Sequence, residues 1–108
     1  MNGLSDILAQ LAPAAITETL LFAVPATRKG LIQELCVCNR AGSPSSFRVS
    51  ISQLGAATQT KDFLYYDMPI AGNDTFAVEI GVTLNASDVI RVYAGSANLS
   101  FTLFGSLA

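Results

Sequence analysis

The side chains of this 108-residue chain most able to do chemistry are two cysteines and eight carboxylates, because it contains no histidine. Cys36 and Cys38 are separated by one residue, so in a strand both thiols point to the same face. Their parallel directions disfavour a mutual disulfide. A lone C-x-C pair also supplies only two ligands where zinc takes four. We therefore predict two small, buried, reduced thiols and no metal site.

Catalysis is disfavoured for a related reason. A Ser or Cys nucleophile needs a base, and without histidine that role falls to a lysine or a carboxylate. Lys29 and Lys61 lie in or beside predicted turns, where a solvated amine is expected. The acidic residues are scattered along the chain: Asp6, Glu18, Glu34, Asp62, Asp67, Asp74, Glu79 and Asp88. We expect no enzyme and no cofactor.

Three of these carboxylates suggest calcium binding as an alternative. Asp67, Asp74 and Asp88 lie near predicted strand ends, where loops of some sandwich domains gather oxygen ligands. No D-x-D-x-D-G spacing occurs in the chain, however, and Asp is common in turns because it forms local hydrogen bonds. We favour ordinary turn residues and expect no metal.

The composition limits the possible partners. The chain is 51% apolar and only 13% charged, so it is too hydrophobic for a disordered segment and poor in charge for a solitary monomer. We expect part of its apolar surface to meet another subunit. A net charge of −2 makes nucleic acid or an anionic membrane an unexpected partner. The apolar stretches are too short to span a bilayer, and residues 1–11 lack the features of a secretory signal.

The first eleven residues differ from the rest of the chain. Leu4, Ile7, Leu8 and Leu11 have the i, i+3, i+4, i+7 spacing of one helical face. So short a helix must dock on its own domain or on a neighbour to persist, and Pro13 would end it. Residues 1–15 are thus predicted to be an N-terminal arm and linker, either a frayed tail or an arm used in assembly.

From residue 16 onward the apolar period changes to two, which is typical of strands. The predicted strands are 16–24, 31–39, 47–52, 61–68, 76–80, 89–94 and 99–103. Regular turns between short strands favour an all-β, antiparallel two-sheet sandwich of jelly-roll type with seven or eight strands, spanning residues 16–108. The nearly continuous apolar run at 31–39 predicts a central strand covered on both faces. The edge strands carry few lysines to guard them.

Two groups of surface residues could bind a partner. Arg28, Lys29 and Arg40 bracket the strand 31–39 and are too sparse for a phosphate track, but they could contact an acidic protein surface at the rim of an interface. The tyrosines Tyr65 and Tyr66, together with the only other one in the chain, at position 93, are the candidates for a carbohydrate platform. Without tryptophan that platform would be poor.

Five segments carry a recognisable pattern. They read AVPA at 23–26, VCNR at 37–40, FRV at 47–49, DMPIAGNDTF at 67–76 and DVIRVYA at 88–94. With these segments, which span most of residues 19–104, the chain resembles a family of small virion proteins of tailed bacteriophages. By this resemblance the turn at 70–75 is structural, with Gly72 and Asn73 tolerating positive φ and Asp74 capping the turn.

The resemblance implies a jelly-roll protein that binds the assembled phage head. Its expected role is a capsid decoration or cement protein on the capsid exterior, assembled in the host cytoplasm, with a homotrimer and the major capsid protein as partners. A tail, baseplate or fibre-associated module is the alternative, ahead of a carbohydrate-binding module. The candidate contact residues are Leu4, Ile7, Leu8, Leu11, Arg28, Lys29 and Arg40.

Overall fold

The structure, a computed structural model, describes residues 5–108. These residues form eight strands: β1 Asp6–Leu11, β2 Thr19–Ala23, β3 Gly30–Asn39, β4 Ser45–Ser52, β5 Phe63–Ile70, β6 Thr75–Leu84, β7 Val89–Ala94 and β8 Leu99–Leu107. Two short 3₁₀ turns, Gln53–Gly55 and Thr60–Asp62, lie between β4 and β5. In this part of the chain no helix is long and apolar enough to cross a bilayer.

The strands form two antiparallel sheets of four. The order is β1-β8-β3-β6 in the first sheet and β2-β7-β4-β5 in the second. This order, in which the chain passes repeatedly between the two sheets, is that of a jelly roll. The predicted all-β sandwich is therefore confirmed. β1 and β2 are the sheet edges on one side of the sandwich, and β5 and β6 are the edges on the other.

The connections lie at two opposite ends of the sandwich, which follows from the antiparallel order. The basal end carries the connections 24–29, 53–62 and 85–88, and the apical end carries 12–18, 40–44, 71–74 and 95–98. The C-terminus is also basal, because the backbone N–H of Lys29 donates to Ala108 O at 3.0 Å.

The prediction of an N-terminal helix is wrong, because residues 6–11 form strand β1, which is paired with β8. The helix rested on Leu4, Ile7, Leu8 and Leu11, of which Leu4 lies outside the described residues. A bulge between Ile7 and Ala9 shifts the register, and Leu8, Ala9 and Leu11 pack against the core. An isolated helix of this length is marginal. Pairing with β8 instead satisfies the backbone and partly buries Leu8 and Leu11.

The core lies between the sheets and is built from alternate side chains of the strands. At its centre the Phe47 ring lies 5.3 Å from that of Phe76 and 6.2 Å from that of Phe101, between centroids. Burial of each such side chain stabilises the fold by about 1.5–3 kcal/mol. The most fully buried apolar residues are Ile32, Leu35, Val37, Phe47, Val49, Ile90, Val92, Ala94, Leu99, Phe101 and Leu103.

Strand β3 is central in its sheet, between β8 and β6, as predicted. Only one of its faces is covered, however. Leu35 and Val37 point into the core, so the alternating Cys36 and Cys38 lie on the outer face and are half-buried free thiols. The prediction of buried cysteines is wrong, because the apolar run does not reveal that nothing within residues 5–108 forms a layer over the outer face of the first sheet.

Candidate functional site

The predicted apolar contact residues of the N-terminal segment divide into two groups. Leu8 and Leu11 are half-buried against the core, and Leu4 lies outside the described residues. Ile7 is 59% exposed on β1. Two further apolar side chains are exposed near the edge strands β1 and β2: Ile16, which is 63% exposed in the connection between β1 and β2, and Leu20, which is 52% exposed on β2. We call Ile7, Ile16 and Leu20 the β1–β2 side patch.

The predicted basic residues do not form one patch. Arg28 and Lys29 are exposed at the basal end, where Arg28 Nε donates to Ala108 O at 3.2 Å. Arg40 is exposed at the apical end, where its Nη2 donates to Ala97 O at 3.0 Å. The ten residues of β3 separate them, a distance of roughly 33 Å in a strand. A single partner surface would have to span the length of the sandwich to contact all three.

The VCNR and DMPIAGNDTF segments meet at the apical end through Asn39, which is 1% exposed. Its Nδ2 donates to Ser43 O at 2.9 Å and to Ala71 O at 3.2 Å. Its Oδ1 accepts from Ala41 N–H at 3.1 Å. One buried amide thus ties the β3–β4 turn to the β5–β6 turn.

Within that turn, Gly72 and Asn73 have different roles. Asn73 has a φ of 55°, as expected, and its N–H donates to Ala41 O at 2.7 Å. Gly72 has no positive φ. A Cβ added to Gly72 would lie 2.3 Å from the carbonyl carbon and oxygen of Gly42, so glycine is required here by close backbone approach.

The candidate calcium ligands are occupied by protein partners at separate places. Asp67 is paired with Arg48 on β4. Asp74 accepts the N–H of Thr75 at 2.9 Å at the apical end. Asp88 is basal and accepts the N–H of Leu54 at 3.0 Å. Across residues 5–108, no three metal-ligating side chains converge.

The outer face of the second sheet carries a cluster that the sequence did not reveal. Arg48 Nε donates to Asp67 Oδ1 at 2.7 Å. The guanidinium carbon also lies 4.1 Å from the ring centroid of Tyr66 and 4.3 Å from that of Tyr93. Tyr65 instead points inward, with its ring 5.3 Å from that of Phe76. Tyr66 and Tyr93, which point outward, therefore contact the guanidinium of Arg48, and this contact reduces the ring surface available to a sugar.

The basal β4–β5 loop is held rigidly by Arg91. Its guanidinium donates to Ala56 O at 2.8 Å, to Gly55 O at 3.3 Å and to Thr58 Oγ1 at 3.0 Å. Leu54 is 78% exposed on this loop and has a left-handed φ of 55°. The loop thus presents an apolar side chain on a fixed backbone.

A second network anchors the same loop to β4 through Asp62, which is 8% exposed. Lys61 Nζ donates to Asp62 Oδ1 at 2.7 Å. The N–H of Gln59 and the hydroxyl of Ser52 donate to its Oδ2 at 2.9 and 3.1 Å. The hydrogen bond from Lys61, followed by that from Gln59, lowers the pKa of the Asp62 carboxyl despite its burial.

An apolar groove lies on the side of the sandwich formed by β5 and β6. A groove of about 270 Å³ runs between these two edge strands, lined by Leu64, Tyr65, Val78, Glu79 and Ile80. Leu64 is 47% exposed, and Val78 and Ile80 are half-buried although they face the core side of the sheet. We call this feature the β5–β6 groove. The alternating residues of β6 were readable from the sequence, but the neighbouring β5 edge was not.

No protein-family model matches the chain, and no curated protein matches its sequence. Solved structures share its fold. A chain in the structure of infectious bursal disease virus Gt strain aligns with a TM-score of 0.54 and 11% identity over 95% of this chain. A chain of the Gx strain aligns with the same TM-score and 12% identity. This chain spans only 30% of the length of each of them.

A third similar structure contains a chain that aligns over nearly its full length. It is a chain in the acid-stable capsid structure of Helicobacter pylori bacteriophage KHP30, with a TM-score of 0.51 and 14% identity. The alignment covers 100% of this chain and 94% of that one. At identities this low, the structural matches establish a shared fold alone. The jelly roll of this chain is thus also found in virus structures, including that of a phage capsid.

Proposed function

We propose that the chain is a structural protein of a phage virion, namely a decoration or cement protein that binds the assembled head. One observation carries the proposal: the jelly roll matches a chain of a phage capsid structure over nearly the full length of both. The resemblance of the five sequence segments to phage virion proteins supports the same assignment.

The mechanism is one of linked equilibria. A protein that binds only the assembled shell shifts the equilibrium towards assembly and makes the shell harder to open. This requires a rigid binding unit. The jelly roll supplies it, since Asn39, Arg91 and Asp62 each fix connections with buried or multiple hydrogen bonds. The role is one of binding, and no residue is assigned to catalysis.

The proposal includes a homotrimer. The β1–β2 side patch exposes three large apolar side chains on or beside two neighbouring edge strands. Exposed apolar residues grouped on one side are typical of protein interfaces, and closed cyclic symmetry is usual for homo-oligomers. We assign the side patch to contacts between copies of the chain.

The test measures oligomeric state and then partner. Light scattering gives the molar mass of the purified protein, which is then mixed with empty capsids and with isolated tails of the phage that encodes it and centrifuged. A stable trimer that pellets with capsids is the expected result. Pelleting with tails alone would move the assignment to a tail, baseplate or fibre-associated module, and a monomer would contradict the trimer.

A further inference from the structure

We propose that the β6 edge and the β5–β6 groove bind an extended strand of a partner protein by adding it to the first sheet. The inference deepens the proposed function and rests on it for one point, that the strand belongs to the phage shell protein. Strand addition joins backbone hydrogen bonds along a sheet edge to pockets that receive alternate side chains. The chain provides both elements in the same place.

The backbone of β6 is available for pairing. β6 is ten residues long and pairs only with β3 among the described strands. The N–H of Asn39 donates to Asp74 O at 2.9 Å at the start of this ladder. The antiparallel alternation then turns the N–H and C=O groups of Thr75, Ala77 and Glu79 away from β3, towards the open edge.

The other sheet edges are protected. β5 contains Pro69 and has a left-handed residue, Asp67, with a φ of 51°. β1 and β2 are six and five residues long, and a register shift interrupts each of them. Proline, bulges and short length are the usual means of blocking an edge. β6 has no proline and no lysine. Its one register shift with β3 lies beyond Glu79, around Gly81, and the ladder is regular from Thr75 to Glu79.

The groove supplies the side-chain pockets. Val78 and Ile80 alternate along β6, and Leu64 and Tyr65 form the opposite wall on β5. A strand paired with β6 would direct every second side chain into this groove. Apolar side chains at those positions would cover Leu64, Val78 and Ile80, which the fold itself leaves partly exposed.

Charge determines the chemistry of the occupant. Glu79 is exposed on the outer face, and its cross-strand partner on β3 is Glu34. No lysine or arginine occurs in β1, β8, β3 or β6. A second β6 would bring another glutamate to this edge, and like charges on adjacent strands are unfavourable. The edge therefore fits a strand with a lysine or arginine opposite Glu79, and the second copy of this chain is disfavoured.

The first test blocks the groove. Leu64→Glu places a charge in the groove at a partly exposed position, and Leu54→Glu is the matched control on the exposed basal loop. Both proteins should retain the wild-type circular dichroism spectrum. In the capsid pelleting assay, Leu64→Glu should weaken binding by about tenfold or more, equivalent to about 1.4 kcal/mol, while Leu54→Glu should bind like wild type.

The second test separates strand pairing from simple apolar contact. Ala77→Pro removes an N–H that points to the open edge, and Ala77→Ser keeps it. Binding should fall for the proline variant and stay unchanged for the serine variant. Glu79→Lys should also reduce capsid binding, yet it should raise the melting temperature of the free protein because it replaces a like-charged pair with an ion pair to Glu34.

The outcomes distinguish the two proposals. If wild type pellets with capsids and Leu64→Glu and Ala77→Pro pellet equally well, the groove assignment is overturned and the decoration role stands. If Leu64→Glu changes the molar mass in light scattering, a second copy occupies the edge and the shell-protein strand is wrong. If wild type does not pellet with capsids, the decoration role fails and the assigned occupant fails with it.

Discussion

Arg48 and Asp67 form a two-contact ion pair across strands β4 and β5, with Nε–Oδ1 at 2.7 Å and Nη2–Oδ2 at 3.4 Å. The guanidinium is also held between the rings of Tyr66 and Tyr93. The hydrogen bond to Asp67 raises the pKa of Arg48 above its ordinary value. One side chain therefore connects β5, β4 and β7 on the outer face of the second sheet.

Replacing this arginine with lysine should destabilise the fold. Lysine keeps the charge but has no planar group to pair with Asp67 and lie over two rings. A cation–π contact at an exposed site contributes about 0.5–1 kcal/mol, and an exposed ion pair about 0.2–1 kcal/mol. We expect Arg48→Lys to lower the free energy of unfolding by about 1–2 kcal/mol in urea titrations. Arg28→Lys is the control and should change little; equal effects of both variants would contradict the role of the cluster.

The apical turns should be sensitive to a single methyl group at position 72. A Cβ at Gly72 meets Gly42 backbone atoms at 2.3 Å, whereas a Cβ at Gly42 meets only Asn73 Nδ2, at 3.7 Å. Overpacking of this kind costs about 1–3 kcal/mol or more. Gly72→Ala should therefore lower the melting temperature clearly while Gly42→Ala leaves it near the wild-type value. Similar melting curves for the two variants would show that the turns can separate freely.

Acid should weaken the fold through Asp62. The pKa of its carboxyl is lowered in the folded state, from about 3.9 in an unfolded chain. The stabilisation it provides is therefore complete above about pH 4 and is lost as the pH falls through the folded pKa. Asp62→Asn should be less stable than wild type at pH 7, and the difference should shrink towards pH 2.

Melting temperatures measured between pH 7 and pH 2 check this prediction. Asp6→Asn, at an exposed position on β1, is the matched control. A difference between wild type and Asp62→Asn that stays constant over the whole range would mean that the charge of Asp62 is not what stabilises the loop.

The thiol of Cys36 should react slowly with alkylating reagents. Its burial, then the charge of Glu34 and the hydrogen bond to that carboxylate, raise its pKa. The reactive thiolate is therefore scarce at pH 8. Glu34→Gln should increase the alkylation rate of Cys36 by iodoacetamide a few-fold by mass spectrometry, with Cys38 in the same molecule as reference. An unchanged rate would leave burial as the sole cause.

The turn at 70–75 shows how far the sequence could specify local structure. Its residue types predicted a turn with Asn73 at positive φ, and Asn73 has a φ of 55°. The same reasoning allowed positive φ at Gly72, which does not adopt it; a side chain is excluded there because Gly42 lies against it. Conformational preference belongs to a residue and its neighbours, whereas close approach involves a turn 30 residues away. Only the former can be read from a short segment.

The cysteines and the N-terminal leucines illustrate the same limit. An apolar run predicted burial on both faces of β3, yet Cys36 and Cys38 lie on an uncovered face. A helical spacing predicted a helix at the N-terminus, yet the segment is β1. In both cases a neighbour distant in sequence, or the absence of a covering layer, decided the outcome.

By itself, the sequence determined the all-β class and, from residue 16 onward, the approximate strands and most of the side chains that face the core, since the period of two is a local property. Tertiary structure alone decided the strand order, the contacts of Arg48 with Asp67 and two tyrosines, and the position of the open β6 edge beside an apolar groove. The physical reason is that alternation specifies the face on which a side chain lies but not the strand beside it. Strand neighbours are chosen by long-range pairing and packing of the whole chain.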